Sequence, residues 1–242
     1  MKFSQNLMWA AVTADPIVQA ALVPGPPFLR LDKYDSMVIV ADLQEGLYNT
    51  VRDYDPTVFR NNIIAHASIA KLFSIPIVLT TSAQTGPNGP LPKEITTMFP
   101  NAPLIKRNGE VDAWDNSDFR AAVVAQNKSQ IILAGITTDV CTEFLALSLR
   151  AEGYTVFANT EASGTFSQRL ADDANRRMES SGVILQGLFA IVMDLMRDWR
   201  NTPGSLQLLP FLDQYLPVYG YVARAHEAAV LNGTLSPGEL GL

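Results

Sequence analysis

Cysteine and histidine are scarce in this chain of 242 residues, which contains one cysteine, Cys141, and two histidines, His66 and His226. A single cysteine cannot form an intrachain disulfide bond, so a small secreted scaffold held by disulfides is excluded. Two isolated histidines do not provide the ligands of a multi-histidine zinc site, and we predict neither a metal ion nor another cofactor. His66 lies in the middle of a helical pattern, which indicates a packed side chain rather than a ligand.

Long apolar runs and an excess of positive charge are also missing. No segment reaches the roughly 18 consecutive apolar residues of a membrane span, and the N-terminal segment lacks the pattern of a cleaved signal peptide. The net charge of −6 disfavours nucleic acid and anionic lipid as partners. The glycine-rich motifs of dinucleotide and P-loop sites are absent too. We therefore expect a cytoplasmic protein whose partner is a small molecule, with no nucleic acid and no membrane.

Short apolar runs alternate with amphipathic segments in the middle of the chain. Runs such as Met37–Ala41 are continuous and apolar, as in strands that are buried on both faces of a parallel sheet. The alternation predicts an α/β fold, a three-layer doubly wound sheet of about six mostly parallel strands with helices on both faces. The predicted strands are 37–41, 76–80, 104–107, 130–135, 154–158 and 183–186, with helices beginning near residues 55, 117, 139, 167 and 188.

The chain is predicted to have one domain, residues 28–212, with two extensions. Residues 1–27 form an N-terminal arm that ends in the run VPGPP, and residues 213–242 form a C-terminal extension. Near the boundary, a proline-bounded stretch is rich in large apolar side chains, which either cover the domain or contact a second copy of the chain. These side chains are Leu206, Leu208, Leu209, Phe211, Leu212, Tyr215 and Leu216.

Chemically useful side chains follow several of the predicted strands, at the edge where parallel sheets bind ligands. Asp42 ends the first strand, Lys106 and Arg107 close the third, and Cys141 follows the fourth. The start of the next helix is expected to lower the pKa of the Cys141 thiol, and Asp42 is placed to accept its proton. Neighbouring strand residues point to opposite faces, so at most one of the two cations faces the site.

Each of these residues also has an ordinary structural explanation. Cys141 is then a small buried hydrophobic residue, Asp42 caps a loop, and Lys106 and Arg107 are solvated surface charges. The positions of these residues in the sequence do not decide between the catalytic and the structural interpretation.

Further motifs occur in a fixed order along the chain. They are DLQEG at 42–46, TSAQTGPNGP at 81–90, DAWDN at 112–116, GITTDVCT at 135–142, ASGTF at 162–166 and DWRN at 198–201. Over about residues 28–212 the set resembles the isochorismatase-like cysteine hydrolases, and within them the YcaC-like branch. The resemblance does not extend to residues 1–27.

The resemblance implies a catalytic triad. Asp42 corresponds to the base, Cys141 to the nucleophile, and Arg107 to a cation that is usually lysine, with Lys106 as the fallback. An arginine at this position keeps its charge and donates hydrogen bonds, but it does not transfer protons.

The family pattern also implies the surroundings of the nucleophile. A cis peptide bond is expected between Ile136 and Thr137, with the N–H groups of Thr137 and Cys141 forming an oxyanion hole. We expect Leu47 and Trp114 to wall the pocket, although either side chain can also be simple packing. The Asp-x-His motif through which the nicotinamidase branch holds its metal is absent.

Together these features predict a cysteine-dependent hydrolase that cleaves an amide-type C–N bond through a thioester. The alternative is an oligomeric binding or assembly protein that keeps the fold with little turnover. Fast, pH-independent alkylation by iodoacetamide would indicate an activated thiolate, whereas a slow, pH-dependent rate would favour the alternative. YcaC-like proteins form multi-subunit rings, so the resemblance implies a homo-oligomer higher than a dimer.

Overall fold

The computed structural model describes residues 28–235, and within them the chain forms six strands and nine α-helices. The strands are β1 (Ser36–Ala41), β2 (Ile77–Ser82), β3 (Leu104–Arg107), β4 (Gln130–Gly135), β5 (Thr155–Asn159) and β6 (Ile184–Gln186). The helices are α1 (Glu45–Tyr48), α2 (Pro56–Phe73), α3 (Lys93–Met98), α4 (Ser117–Val124), α5 (Glu143–Ala151), α6 (Gln168–Ser180), α7 (Leu188–Met196), α8 (Ser205–Tyr215) and α9 (Pro217–Asn232).

All six strands run parallel, in the order β3-β2-β1-β4-β5-β6. The predicted fold class is confirmed. The chain order reverses between β1 and β4, and such a switch point opens a crevice at the carboxyl ends of the two strands. Ala41, the last residue of β1, pairs with Thr80 on one side and Gly135 on the other. Asp42 therefore leaves the sheet at its centre.

Apolar side chains cover both faces of the sheet. Val38 and Val40 of β1 pack into a cluster with α2, α7 and α8, whereas Met37 and Ile39 pack into a second cluster with α4, α5 and α6. This division follows from the alternation of strand side chains, because all six residues of β1 are buried. The result is three layers, with the sheet between two sets of helices.

Helix α2 shows how local sequence sets the boundaries of an element. The side chain of Asp55 caps its N-terminus by accepting from the N–H groups of Thr57 and Val58, and Pro56 occupies the first helical position. The helix ends at Ser74, which has a left-handed backbone with φ of 54°. The cap was expected from the sequence, and it fixes where the longest helix on its face of the sheet begins.

The C-terminal region differs most from the sequence prediction. The leucine-rich stretch forms helix α8, in which Leu208, Phe211, Leu212 and Tyr215 are buried against the core cluster. These side chains therefore cover their own domain, the first of the two predicted alternatives, and Leu206 stays exposed. The short helices α1 and α3 and the long helix α9 were not predicted from the sequence.

The division into an arm, a domain and an extension stays a prediction. The predicted arm, residues 1–27, lies outside the described residues, as does the end of the chain after residue 235. Helix α8 runs across the predicted boundary between residues 212 and 213. None of the helices within 28–235 is long and apolar enough to span a membrane.

His66 is buried on α2, as the sequence indicated, and it links that helix to two strands. Its Nε2 lies 3.0 Å from the carbonyl oxygen of Ile39, and its Nδ1 lies 3.3 Å from Nδ2 of Asn159. A carbonyl oxygen only accepts, so Nε2 carries the proton and Nδ1 accepts from the amide, which requires the neutral ring. Burial lowers the pKa of His66 to about 4.

Acid is therefore expected to weaken the fold through His66. The unfolded histidine titrates near pH 6.5 and the folded one near pH 4, so stability falls as the pH drops through this window. The full effect is about 3 kcal/mol. Urea unfolding at several pH values measures it, and His66→Gln, which does not titrate, is the control. Equal pH slopes in the two proteins would contradict this assignment.

Candidate active site

Three sequence-predicted residues meet at the carboxyl edge of the sheet. Asp42 follows β1 in the centre, Arg107 ends β3 on one side, and Cys141 follows β4 on the other. Asp42 and Arg107 form a salt bridge in which neither side chain is exposed to solvent. Cys141 is largely buried beside them, where its thiol and the Asp42 carboxyl group shift each other's pKa. The sequence order of charged and nucleophilic residues was thus a reliable guide to this cluster.

Arg107 reaches Asp42 across the end of β2. Its Nε donates to Oγ1 of Thr80 at 2.9 Å, its Nη2 donates to Oδ2 of Asp42, and its Nη1 donates to the carbonyl oxygen of Glu110. Three acceptors in three directions fix the plane of the guanidinium group. The cation is therefore held rigidly rather than free to follow a substrate.

Lys106 does not take part in this cluster. It is exposed, because it precedes Arg107 on β3 and points to the other side of the strand. The fallback assignment to Lys106 is wrong for this geometry, and Arg107 is the cation beside Asp42.

Asp42 has two carboxylate oxygens in different surroundings. Oδ2 accepts from Arg107, whereas buried Oδ1 receives no well-aligned hydrogen bond from any residue within 28–235. Burial raises the pKa of Asp42, and the Arg107 guanidinium together with the Cys141 thiol partly opposes the rise. Since Arg107 occupies Oδ2, Oδ1 is the oxygen left to accept a proton from the thiol.

The Cys141 thiol does not have the low pKa that its helical position suggested. Burial is the largest cause of a rise in the thiol pKa to about 12, and the negative charge of Asp42 adds to it. The charge of Arg107 and the N–H of Thr137 lower the thiol pKa, but by less than burial and Asp42 raise it. The expectation of a resting thiolate is therefore wrong, and the proton stays on sulfur in this state.

Cys141 lies in a short π-helical turn rather than in the first turn of an α-helix. This turn, Thr138–Thr142, precedes α5, so the helix predicted to start at residue 139 begins at Glu143. The backbone N–H of Thr137 lies near enough to the Cys141 sulfur to favour the thiolate. The Ile136–Thr137 peptide bond is cis. A role of the Cys141 N–H in an oxyanion hole stays a prediction.

The two expected pocket walls lie in different environments. Trp114 packs edge-on against Phe119 and Tyr154, and its Nε1 is 3.4 Å from Oε1 of Glu152 just beyond the end of α5. That end of α5 is opposite to Cys141, and the role of Trp114 as a pocket wall stays a prediction. Leu47 lies in α1, shortly after Asp42, and is partly buried against the core cluster.

Sequence reasoning missed the residues that hold the cluster in place. Gln44 is fully buried and ties the loop after β2 to Asp42, since its side chain accepts from the Ser82 N–H at 2.7 Å and donates to the carbonyl oxygens of Ser82 and Gly89. Thr80 is equally buried and supports Arg107. Gln44 belongs to the DLQEG motif, but only the fold shows what it contacts. Such roles depend on loops that meet in space, which a single sequence does not specify.

Ligands for a metal ion are not gathered here. Within the described residues there is no group of three or more His, Cys, Asp or Glu side chains arranged around a common point. Of the two histidines, His66 is engaged between α2 and the sheet.

The fold and the buried Asp–Arg–Cys cluster define a class of protein. The isochorismatase domain matches residues 36–195, and the chain belongs to the isochorismatase family. It is 45% identical over 193 residues to the probable hydrolase YcaC of Escherichia coli, covering 80% of this chain and 92% of that protein.

Two solved structures of the YcaC type are similar to this chain. The E. coli YcaC structure, an octameric hydrolase of unknown specificity, has a TM-score of 0.82 and 43% identity, covering 84% of this chain and 99% of that one. YcaC from Pseudomonas aeruginosa, solved with hexane-2,5-diol and covalent acrylamide, has a TM-score of 0.81 and 44% identity, covering 84% and 100%. The resemblance inferred from the motifs is confirmed.

The buried salt bridge between Asp42 and Arg107 should have a measurable effect on the free energy of unfolding. Arg107→Met leaves the Asp42 carboxylate buried without its cation, and we expect a loss of about 3 kcal/mol or more at pH 7. Lys106→Met removes the neighbouring exposed charge and should change stability by less than about 0.5 kcal/mol. Urea unfolding of both variants checks this, and equal effects would contradict the assignment of Arg107.

Proposed function

We propose that this isochorismatase-family hydrolase cleaves an amide-type C–N bond of a small molecule through a thioester on Cys141. The observation that carries the proposal is that the two carboxylate oxygens of Asp42 have different environments. One of its oxygens is held by Arg107, while the other is buried beside the thiol of the chain's single cysteine and receives no well-aligned hydrogen bond from any described residue. A carboxylate in this arrangement is a fixed base for the thiol.

The first half of the reaction forms the thioester. Asp42 takes the proton from Cys141 as the sulfur attacks the carbonyl carbon of the substrate, and the carbonyl oxygen becomes negative. In this proposal the Thr137 N–H, which lies near the sulfur, donates to this oxygen. The C–N bond then breaks, and the nitrogen leaves as an amine or ammonia with the proton held by Asp42.

The second half of the reaction restores the enzyme. Water attacks the thioester carbon while Asp42 takes one of its protons, the C–S bond breaks, and that proton returns to the sulfur. Arg107 keeps its charge throughout and holds the Asp42 carboxyl group in place whether that group is protonated or not. No proton passes through the guanidinium group.

The raised pKa values of Asp42 and Cys141 suit a proton transfer that occurs together with the attack of the sulfur on the substrate. Asp42 has a raised pKa and is a stronger base than an ordinary carboxylate, whereas Cys141 keeps its proton until a substrate is present. The activity is expected to fall as the pH drops through the raised pKa of Asp42, because the protonated carboxyl group is no longer a base.

The relatives support a hydrolase with a reactive nucleophile. The E. coli relative is named a probable hydrolase, and the P. aeruginosa YcaC structure contains a covalent acrylamide, which is itself a small amide. Acrylamide forms covalent adducts with nucleophiles at its terminal alkene carbon, so the adduct supports a reactive nucleophile in that protein rather than attack on an amide carbonyl.

A binding or assembly protein with little turnover is the second candidate. The raised pKa of the Cys141 thiol favours it, because a protonated thiol is a poor nucleophile. Alkylation rates no longer separate the two candidates, since a slow rate is expected from both. Turnover of substrate does separate them.

We also propose that the protein is a homo-oligomer higher than a dimer and works in the cytoplasm. The octameric state of the similar E. coli structure supports the assembly. The single cysteine, which forms no disulfide, fits a reducing compartment.

The proposal predicts which variant loses activity. Against a panel of primary amides, carbamoyl compounds and nitriles, scored by ammonia release, Cys141→Ala and Cys141→Ser should lose at least about a thousandfold in kcat/KM. Asp53→Asn is the matched control, because it changes a carboxylate of the neighbouring loop but leaves a side chain that can accept from the Thr165 N–H. Circular dichroism verifies that all variants are folded. Full activity of Cys141→Ala would end the covalent scheme.

Asp42→Asn is predicted to have opposite effects on two reactions. It removes the base, so ammonia release should be lost. It also removes the negative charge that raises the thiol pKa, so iodoacetamide should alkylate Cys141 faster than in the parent protein at pH 8. In the parent, the rate should rise about tenfold per pH unit between pH 7 and 10. An alkylation rate that is the same in Asp42→Asn and in the parent protein would show that the carboxylate does not face the thiol.

A further inference from the structure

Helix α9 turns an apolar surface away from the molecule. Gly220 is its one buried residue within the described structure, and the helix packs on α8 near that point. Val218, Tyr221 and Val222 are 80%, 63% and 61% exposed. A surface helix normally presents its apolar side to the core, so this orientation is reversed.

Apart from Val230 and Leu231, which are exposed on other sides of the helix, six apolar residues of α9 form one continuous stripe. At 3.6 residues per turn they fall on the same side of the helix, and no charged residue lies among them. The α9 stripe consists of Val218, Tyr221, Val222, Ala225, Ala228 and Ala229. The charges of α9 lie outside it: Arg224 pairs with Asp213 of α8, and Glu227 is on the far side of the helix.

We propose that the α9 stripe packs against the same stripe of a second copy, antiparallel, around a two-fold axis at Ala225. The inference rests on the proposed homo-oligomer. Under this symmetry, residues at equal distances before and after Ala225 face each other. Tyr221 then meets Ala229 of the partner subunit, and Val222 meets the partner subunit's Ala228.

The order of side-chain sizes along the α9 stripe favours a second copy of this chain over other partners. The large residues stand in the first half of the stripe and the alanines in the second half. An antiparallel pair therefore places Tyr221 and Val222 against alanines and Val218 against the partner subunit's Asn232, so the two helices can approach to about 8 Å. A parallel pair would set Tyr221 against itself and leave gaps beside the alanines.

The Tyr221 side chain is already ordered by contacts within its own chain. The Arg224 guanidinium lies over its ring, 5.0 Å from the centroid, and the salt bridge to Asp213 holds that guanidinium. An ordered aromatic side chain loses little conformational entropy on binding. A stripe without charged side chains fits an identical apolar stripe better than it fits a charged partner.

The chain's single cysteine makes a direct test possible. In a Cys141→Ser background, Ala225→Cys places one thiol on the proposed axis, where two copies bring their Cα atoms within the roughly 4.4–6.8 Å of a disulfide. Mild oxidation should give a species of twice 26.4 kDa on a non-reducing gel. Glu227→Cys in the same background is the control, because this position lies about 200° around the helix.

Light scattering of the full chain separates this inference from the proposed assembly. Ala225→Lys should reduce the mass at least twofold, whereas Ala121→Lys, the same change on an exposed alanine of α4, should leave it unchanged. A parent mass of 26.4 kDa would overturn the homo-oligomer itself. An oligomer that withstands Ala225→Lys, or equal crosslinking through residues 225 and 227, would overturn the α9 pairing alone.

Discussion

The buried salt bridge between Asp42 and Arg107 is the constraint on which the site depends. Both side chains are fully removed from solvent, and two charges in such a place are tolerated only when they are paired and well hydrogen bonded. Thr80 and the Glu110 carbonyl complete the coordination of the guanidinium. The pair joins β1 to β3 across the end of β2, so the position of the carboxylate is set by the sheet itself.

This constraint explains the properties of Cys141. A carboxylate held by Arg107 through Oδ2 cannot rotate freely, and its second oxygen stays available beside Cys141. Burial and, after it, the same negative charge raise the pKa of the thiol, which keeps the sulfur protonated at rest. An arginine in place of a lysine suits a role in which the cation holds charge and geometry and moves no proton.

Much of the fold could be predicted from the sequence, because strands buried on both faces leave continuous apolar runs that are hard to mistake. The meeting of Asp42, Arg107 and Cys141 could be anticipated as well, since the carboxyl ends of parallel strands share one edge. The pKa of Cys141 could not, because it depends on burial and on a neighbour that only the folded chain supplies. Helix α8 was missed because Pro210 lies inside it, and the direction of the Trp114 side chain could not be predicted because it depends on Phe119 and Tyr154.

The central claim is that substrate carbon becomes bonded to the Cys141 sulfur while Asp42 carries the proton. Intact-mass spectrometry of the enzyme, quenched with acid during turnover of an amide from the active panel, tests it most directly. We predict an added acyl group that maps to Cys141 and disappears on treatment with hydroxylamine, which cleaves thioesters. Steady turnover in which Cys141 stays unmodified at every quench time, with an equally active Cys141→Ser variant, would contradict the account.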